Sequence, residues 1–221
     1  MARMVVVSGT GTGVGKTHLS EAILRATARL GLRVVGLKPI ESGLAEANAS
    51  DADRLDHASS FHVQLPGYYF GEAISPHLAA REAGESIAID RVVAASRSVL
   101  GDVDLALVEL PGGLFTPLSD AEVNADLARA LAPDHLVLVT TDRLGVLHDV
   151  LATSRAAAAA SLSIDSVVLM PPAAADGSTG RNASELLRLL PIRTVVSLRA
   201  APPEDLAYDS ALGDLVRAIL A

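Results

Sequence analysis

The chain has 221 residues, of which 50% are hydrophobic, carries a formal net charge of -8 and contains no cysteine. This length predicts a single domain over residues 1–221 with enough apolar residues for a sizeable core. The negative charge argues against a nucleic-acid partner, and the lack of cysteine excludes disulfides and thiolate metal sites. No apolar run approaches the roughly 20 residues that span a bilayer. We therefore expect a cytoplasmic protein with no membrane partner.

Short, nearly continuous apolar runs alternate with longer helical patterns along the chain. Strands are predicted at Met4–Ser8, Arg33–Pro39, Leu105–Leu110, His135–Thr141, Ser166–Met170 and Thr194–Leu198. Helices are predicted at Lys16–Leu30, Asp51–Ser59, Ile89–Leu100, Ala121–Leu131, Val146–Ser161, Asn182–Leu190 and Pro203–Ile219. Loop residues fill Glu41–Ser50, Ser60–Ser75 and Pro171–Gly180, of which the last is expected to be mobile. The alternation predicts an α/β fold of three layers, with a mostly parallel central sheet and helices on both faces.

The first predicted strand runs into a glycine-rich turn, GTGTGVGKT (residues 9–17). The usual phosphate-loop pattern, G-x-x-x-x-G-K-[ST], would need glycine where this chain has Thr10. The dinucleotide pattern G-x-G-x-x-G fails because Val14 and Lys16 occupy the positions where it needs glycine. The order of strand, turn and helix favours a phosphate loop, in which Lys16 would reach the β- and γ-phosphates and Thr17 would bind Mg²⁺. A glycine-rich turn without a ligand is the alternative.

Two charged residues follow apolar strands. Glu109 closes the strand LALVE, and a carboxylate at the end of a buried strand needs a partner such as Mg²⁺. Lys38 ends the second strand, which we expect to lie beside the first. Ligands of open α/β sheets bind at the carboxyl ends of strands, so Lys38 is predicted to touch a transferred phosphoryl group or an anionic acceptor. A solvated position is the alternative for each of the two.

Several short segments together resemble the dethiobiotin synthetase family of ATP-dependent P-loop enzymes. The loop GTGTGVGKT is similar to that family's variant phosphate loop, and KPIESG (38–43) resembles its K-P-x-x-S-G motif. The segments SDA (50–52), SPH (75–77), TPLSD (116–120) and LGVLHDVLAT (144–153) follow in the family's order. The resemblance covers most of the chain. It implies a P-loop NTPase-like fold and an enzyme that uses ATP, Mg²⁺ and CO₂ or bicarbonate to close the ureido ring of 7,8-diaminononanoate in biotin biosynthesis.

The same resemblance assigns roles to individual residues. The catalytic residues would be Lys38, Lys16 and Thr12, and the Mg²⁺ ligands would be Thr17, Asp51 and Glu109. The other nucleotide contacts would come from the loop and from later strand ends: Gly13, Val14, Gly15, His18, Gly112, Met170 and Pro171. The substrate would also meet Ser42, Ser75, Pro76 and Gly113 and, from the partner in a homodimer, Gly145, Val146 and Leu147. By its position alone, Asp51 would be a helix N-cap.

The chain departs from the family pattern around the expected base site. The family's E-G-A-G-G is ELPGG (109–113) here, and Met170-Pro171 offers no side-chain amide where the family reads adenine. The preferred nucleotide base therefore stays open. A diverged P-loop paralogue acting on another acceptor is the alternative, either a nucleotide-binding switch or a cobyrinate-type amide synthetase. Gly11 stands where such switches carry a second lysine, and the amide synthetases normally carry a glutamine-hydrolysing domain with a cysteine.

Overall fold

The structure is a computed structural model that describes residues 2–45 and 49–221. Its strands are β1 (Arg3–Gly9), β2 (Val34–Leu37), β3 (Ile40–Ser42), β4 (Tyr68–Phe70), β5 (Leu105–Glu109), β6 (His135–Thr141), β7 (Ser166–Met170) and β8 (Thr194–Ser197). Its helices are α1 (Lys16–Arg29), α2 (Asp51–Ala58), α3 (Pro76–Glu82), α4 (Ile89–Ser98), α5 (Asn124–Leu131), α6 (Val146–Ala159), α7 (Asn182–Leu189), α8 (Pro203–Leu206) and α9 (Ser210–Leu220). None of these helices, within the described ranges, is long and apolar enough to cross a membrane.

The main sheet is parallel and has the strand order β2-β5-β1-β6-β7-β8. Alternate side chains of each strand point to opposite faces. Met4 and Val6 join a core cluster with residues of α4, α5, α6 and α7, whereas Val5 and Val7 pack with α1, α2 and α9. Burial on both faces is the reason why the strands are almost continuously apolar. The predicted fold of three layers is confirmed.

The strand order differs from the sequence prediction at one place that matters for function. β2 does not lie beside β1, because β5 lies between them and pairs with both. Val7 of β1 is in register with Glu109, and Leu37 of β2 is in register with Val108. The crossover rule predicts that the connection between parallel strands is right-handed, but it does not predict how many strand positions the connection skips. The residues that follow β1 and β2 therefore lie on either side of the end of β5.

Other differences lie in short elements. β3 and β4 form a separate parallel pair, in which Ile40 is in register with Tyr68. β3 overlaps the start of the predicted loop Glu41–Ser50, and β4 lies inside the predicted loop Ser60–Ser75. Each has only three residues, too few for a recognisable alternation. Helix α3 was not predicted. The predicted helix Pro203–Ile219 is wrong because Asp209 accepts a hydrogen bond from Ala211 N and starts α9 as a separate helix.

Candidate active site

The phosphate loop, residues 9–17, connects β1 to α1 at the carboxyl edge of the main sheet. Gly15 precedes α1 with φ of 94°, and a Cβ on it would lie 2.9 Å from Met170 Cγ. Only glycine fits there. Thr10 stands where the usual pattern has glycine, and its Oγ1 lies 2.9 Å from Thr140 Oγ1. Its N–H donates to Val139 O at 3.0 Å. Thr10 thus ties the loop to β6.

Lys16 is buried at the start of α1, and its Nζ donates to Gly11 O at 3.1 Å. Burial, reinforced by the nearby charge of Lys38, lowers the pKa of Lys16 to about 8 against the opposing effects of Glu109 and Asp51. An anion bound in the loop would stabilise the charged form of this lysine. The charge of Lys16 is therefore sensitive to an anion in the loop.

Glu109 has an exposed fraction of 0% at the end of β5. Its Oε1 accepts hydrogen bonds from Thr17 Oγ1 at 2.8 Å and from Lys38 Nζ at 2.5 Å. Its Oε2 accepts from Ser20 Oγ at 2.8 Å. A lysine and two hydroxyl groups therefore satisfy this buried carboxylate within the protein. Its predicted role as a Mg²⁺ ligand stays a prediction.

Lys38 follows β2 directly and also lies 3.2 Å from Asp51 Oδ2. Burial works against its charge, but the attraction and hydrogen bonds of Glu109 and Asp51 outweigh burial and raise the pKa of Lys38. Asp51 is the first residue of α2 and not its N-cap. The N-cap is Ser50, whose side chain accepts from Asp53 N at 2.9 Å. The Asp51 carboxylate is therefore available to face Lys38.

Two residues of this cluster were missed by the sequence analysis. Ser20 lies one helical turn after Lys16, so helical spacing places it on the same face of α1. Glu41 lies inside the KPIESG segment, and its two carboxylate oxygens accept from Asp51 N at 2.6 Å and Ala52 N at 3.1 Å. Burial raises the pKa of Glu41 against the lowering effect of these two N–H groups. No local pattern indicates that contact, because Glu41 and Asp51 are 10 positions apart in the chain.

A cavity of about 760 Å³ opens above this cluster. Ser42 Oγ donates to Ile74 O at 2.8 Å and so holds the segment that leads into α3 against the cavity wall. Glu109 lies beneath the cavity floor and does not line it. Most of the predicted site residues line this one cavity: Thr12, Gly13, Gly15, Lys16, Thr17, His18, Lys38, Ser42, Asp51, Ser75, Pro76 and Gly112.

Two adjoining hollows contain most of the remaining predicted residues. One, of about 330 Å³, is lined by Val14, Met170 and Pro171 together with His18, whose Nε2 lies 2.7 Å from Ala201 O. The other, of about 340 Å³, is lined by Gly113 and Thr12. Both hollows share residues of the phosphate loop with the main cavity, Gly13 and Gly15 in the first and Thr12 in the second.

The loop after β5, where the chain departs from its family pattern, has internal support. Asn124 has an exposed fraction of 0%, and its Nδ2 donates to Pro111 O at 2.5 Å and to Gly113 O at 2.8 Å. Gly112 between them has φ of 61°, which favours glycine. Pro111 supplies a carbonyl to this arrangement, and the N–H that it lacks is not needed for it.

Gly145, Val146 and Leu147 line none of these cavities in the described part of the chain. They form the start of α6, where Gly145 has φ of 94°. The loop Pro171–Gly180, predicted as mobile, contacts this turn: Asp176 Oδ2 accepts from Leu144 N at 2.7 Å. Asp142 Oδ2 accepts from Gly180 N at 2.8 Å at the other end of the loop. These bonds tie the loop to the start of α6.

The oxygen atoms around Lys38 fit Mg²⁺, although among residues 2–45 and 49–221 there is no group of three or more His, Cys, Asp or Glu side chains that could hold a metal ion. The Glu109 and Asp51 carboxylates are hard oxygen donors that meet at a cation, the Lys38 ammonium, and the Thr17 hydroxyl joins them by donating to Glu109 Oε1. Mg²⁺ usually takes one or two carboxylates and completes its shell with water and phosphate oxygens. This donor set leaves room for both.

Comparison with known proteins identifies a matching family model and several named relatives. The chain matches the family model described as AAA domain over residues 3–202. It is 38% identical over 191 residues to the ATP-dependent dethiobiotin synthetase BioD of Anaeromyxobacter dehalogenans strain 2CP-1, with 85% of each chain covered. It is 36% identical over 220 residues to the protein of the same name from strain 2CP-C, with 98% of each chain covered.

Solved structures show the same fold at low sequence identity. The septum site-determining protein MinD of Pyrococcus horikoshii OT3, complexed with Mg-ADP, has a TM-score of 0.57 at 16% identity, covering 99% of this chain and 94% of its own. The signal recognition particle receptor FtsY of Elizabethkingia anophelis has a TM-score of 0.55 at 18% identity, covering 100% of this chain and 66% of its own. The fold and the family model define a P-loop NTPase. Within that class, the chain belongs to the family of ATP-dependent dethiobiotin synthetases.

Proposed function

We propose that the chain is an ATP- and Mg²⁺-dependent dethiobiotin synthetase, a cyclo-ligase of biotin biosynthesis that works in the cytoplasm. The observation that carries the proposal is that one cavity joins the phosphate loop to Lys38, Ser42 and Ser75. A nucleotide held by the loop would therefore meet a second substrate held beside Lys38. Relatives that bear this name cover most of the chain at 34% to 38% identity.

The reaction has three steps. One amine of 7,8-diaminononanoate adds to CO₂ and loses a proton, which forms a carbamate. A carbamate oxygen attacks the γ-phosphorus of ATP, and ADP leaves. The second amine then attacks the carbonyl carbon of the mixed anhydride, closes the ureido ring and expels phosphate. Catalysis here consists of positioning the reactants and neutralising their charge.

The lysines and hydroxyl groups supply the charge and the orientation. Lys38 would hold the carbamate and the γ-phosphate, two anions that repel each other and that would both favour the charged form of this lysine. Lys16 would stabilise the charge on the transferred phosphoryl group. Thr12 would contact the diamine or its carbamate. Ser42 donates its proton to Ile74 O, so its oxygen remains able to accept an N–H of the diamine.

Thr17, Asp51 and Glu109 would hold the Mg²⁺ ion, which supplies positive charge to the phosphates during transfer. Lys38 contacts both carboxylates. Its ammonium therefore becomes available to the carbamate when these carboxylates bind the metal. The nucleotide phosphates would meet Gly13, Gly15 and Gly112, and the base would enter the hollow lined by Val14, His18, Met170 and Pro171.

We propose a homodimer in which Gly145, Val146 and Leu147 of one protomer complete the substrate site of its partner. The N-terminus of α6 would suit the carboxylate of the diamine, because N–H groups of a helix start attract anions. Leu144 next to it is 76% exposed and so is accessible to a second protomer. Light scattering coupled to size exclusion would give the mass, and Leu144→Asp should yield monomers with a raised KM for the diamine.

The direct test is product formation. We would incubate the purified protein with 7,8-diaminononanoate, bicarbonate, Mg²⁺ and ATP, and measure dethiobiotin by mass spectrometry alongside phosphate release. Equal amounts of dethiobiotin and phosphate are expected. Phosphate without dethiobiotin would mean that the site serves another acceptor. Neither product would favour a diverged paralogue that binds nucleotide without this chemistry.

A further inference from the structure

Glu41 is a buried acid that the proposed mechanism does not use. It is 6% exposed, lines the main cavity and belongs to the short strand β3. Both of its carboxylate oxygens accept backbone N–H groups at the start of α2, from Asp51 at 2.6 Å and from Ala52 at 3.1 Å. With both oxygens occupied in this way, Glu41 is oriented toward the helix and not toward a ligand.

The two hydrogen bonds to Glu41 hold the backbone at Asp51, which is the one predicted metal ligand outside the main sheet and the phosphate loop. Thr17 lies at the end of the phosphate loop in the first turn of α1, and Glu109 ends β5, whereas Asp51 begins α2, which belongs to neither the loop nor the sheet. The Asp51 side chain is 32% exposed and contacts Lys38 and, at 3.6 Å, Arg54 Nη1. The backbone of Asp51 is tied to the site through Glu41.

The charges around Lys38 explain why an acid at position 41 is useful. The carboxylates of Glu41, Asp51 and Glu109 lie near Lys38, while Lys16 and Arg54 add positive charge close to Asp51. Asp51 and Glu41 repel each other. This repulsion is unfavourable by itself and would be relieved by a divalent cation beside Asp51.

We infer that Glu41 is a positioning residue that holds Asp51 in place for the divalent cation shared with Thr17 and Glu109. This inference rests on the proposed function. A carboxylate suits the task because it accepts two N–H groups at once and carries the charge that a helix N-terminus favours. A glutamine offers only one acceptor oxygen, and its NH₂ group would face the second N–H.

The test measures metal binding directly and not only turnover. Mn²⁺ would be titrated into the protein with a non-hydrolysable ATP analogue and followed by electron paramagnetic resonance. Outer partners of metal ligands typically contribute about tenfold or more to affinity. We therefore expect Glu41→Ala to raise the dissociation constant of Mn²⁺ about tenfold and Glu41→Gln to raise it less.

Ser50→Ala is the matched control. Ser50 also caps the start of α2, but it bonds Asp53 N and not Asp51 N. Both Ser50→Ala and Glu41→Ala should lower the thermal midpoint, whereas only Glu41→Ala should weaken Mn²⁺ binding. Equal weakening in the two variants would overturn the inference, because it would show that any loosening of α2 has the same effect.

A double-mutant comparison tests whether Glu41 affects Mn²⁺ binding through Asp51. In an Asp51→Asn background, Glu41→Ala should change Mn²⁺ affinity by less than about twofold, because coupled residues are not additive. A full tenfold effect in that background, or unchanged affinity in the Glu41→Ala and Glu41→Gln single variants, would overturn the inference alone. If the unaltered protein bound no Mn²⁺ in the presence of the nucleotide, both the proposed metal site and the inference about Glu41 would be overturned. If the Mn²⁺ results were as expected but no dethiobiotin formed, the inference about Glu41 would be supported and only the proposed reaction would be overturned.

Discussion

Lys38 and Glu109 meet at the carboxyl ends of adjacent strands, with Nζ 2.5 Å from Oε1 and with both side chains almost completely buried. They are 71 positions apart in the chain. The contact exists because β5 lies between β1 and β2. Glu109 is thus held between the lysine of one neighbouring strand and Thr17 of the phosphate loop on the other side. A change at either member of the pair should affect both stability and catalysis.

Replacing Lys38 by Met should separate these two effects. The substitution leaves the buried carboxylate of Glu109 without its cation, so the free energy of unfolding should fall by about 3 kcal/mol. Dethiobiotin formation should fall by at least about 100-fold, since charge stabilisation of the reacting anions is lost. Denaturant unfolding and product measurement would check the two. The double variant Lys38→Met/Glu109→Gln should recover most of the stability and none of the activity. A single variant as stable as the unaltered protein would contradict this account.

Ser20 supports Glu109 from the α1 side. Removing its hydroxyl by Ser20→Ala leaves Oε2 of the buried carboxylate without its donor, and should cost about 1–3 kcal/mol of unfolding free energy. Ser96→Ala is the matched control, because Ser96 is also buried but its Oγ has no hydrogen-bond partner among the described residues. That variant should stay within about 0.5 kcal/mol of the unaltered protein. Equal losses in the two variants would show that the bond to Glu109 contributes nothing particular.

The pKa of Lys16, lowered to about 8, predicts an alkaline limit for nucleotide capture. A lysine with a lowered pKa is charged below that value and neutral above it, so the free protein loses its attraction for the triphosphate as the pH rises. We expect kcat/KM for ATP to fall about tenfold for each pH unit above the pKa of Lys16. At saturating ATP, kcat should hold to higher pH, because bound phosphate favours the charged lysine.

A Lys16→Arg variant provides the control for this profile. Its guanidinium does not titrate in the accessible range, so nucleotide binding by this variant should be weaker but should lack the alkaline limb. An alkaline limb that persists with the same midpoint in Lys16→Arg would assign the titration to another group.

The hollow at the base end predicts weak discrimination among nucleotides. Its wall combines the apolar Met170, Pro171 and Ala200 with three polar residues: Thr141, His18, whose Nε2 lies 2.7 Å from Ala201 O, and Arg199, whose Nε donates to Asp209 Oδ2 at 2.9 Å. A site rejects a wrong ligand strongly when its own polar groups would be left unpaired, and an apolar wall discriminates much less. We expect kcat/KM for ATP, GTP, CTP and UTP to lie within about tenfold of each other. A preference above 100-fold for one base would show that backbone groups such as those near Ala201 read the base.

The sequence by itself determined the features that depend on neighbours in the chain. The order of strand, glycine-rich turn and helix at residues 3–29 follows from a buried apolar run, glycines that permit unusual backbone angles, and a helix-forming segment. The apolar runs likewise predicted the strands of the main sheet, because a strand that is buried on both faces has a nearly continuous apolar sequence. The membership of Lys38 and Glu109 in one site also followed, since both end strands at the same edge of the sheet.

Only the tertiary structure decided which of these residues touch. A crossover does not encode how many strand positions it skips, so the place of β5 between β1 and β2, and with it the pairing of Lys38 and Glu109, is not visible in the sequence. The bond from Ser20 to Glu109 and the capping of Asp51 by Glu41 join different elements. Their geometry depends on how α1, β3 and α2 pack against the sheet. The packing of distant elements depends on the whole chain, and this packing brings Lys38, Ser20 and Glu109 into contact.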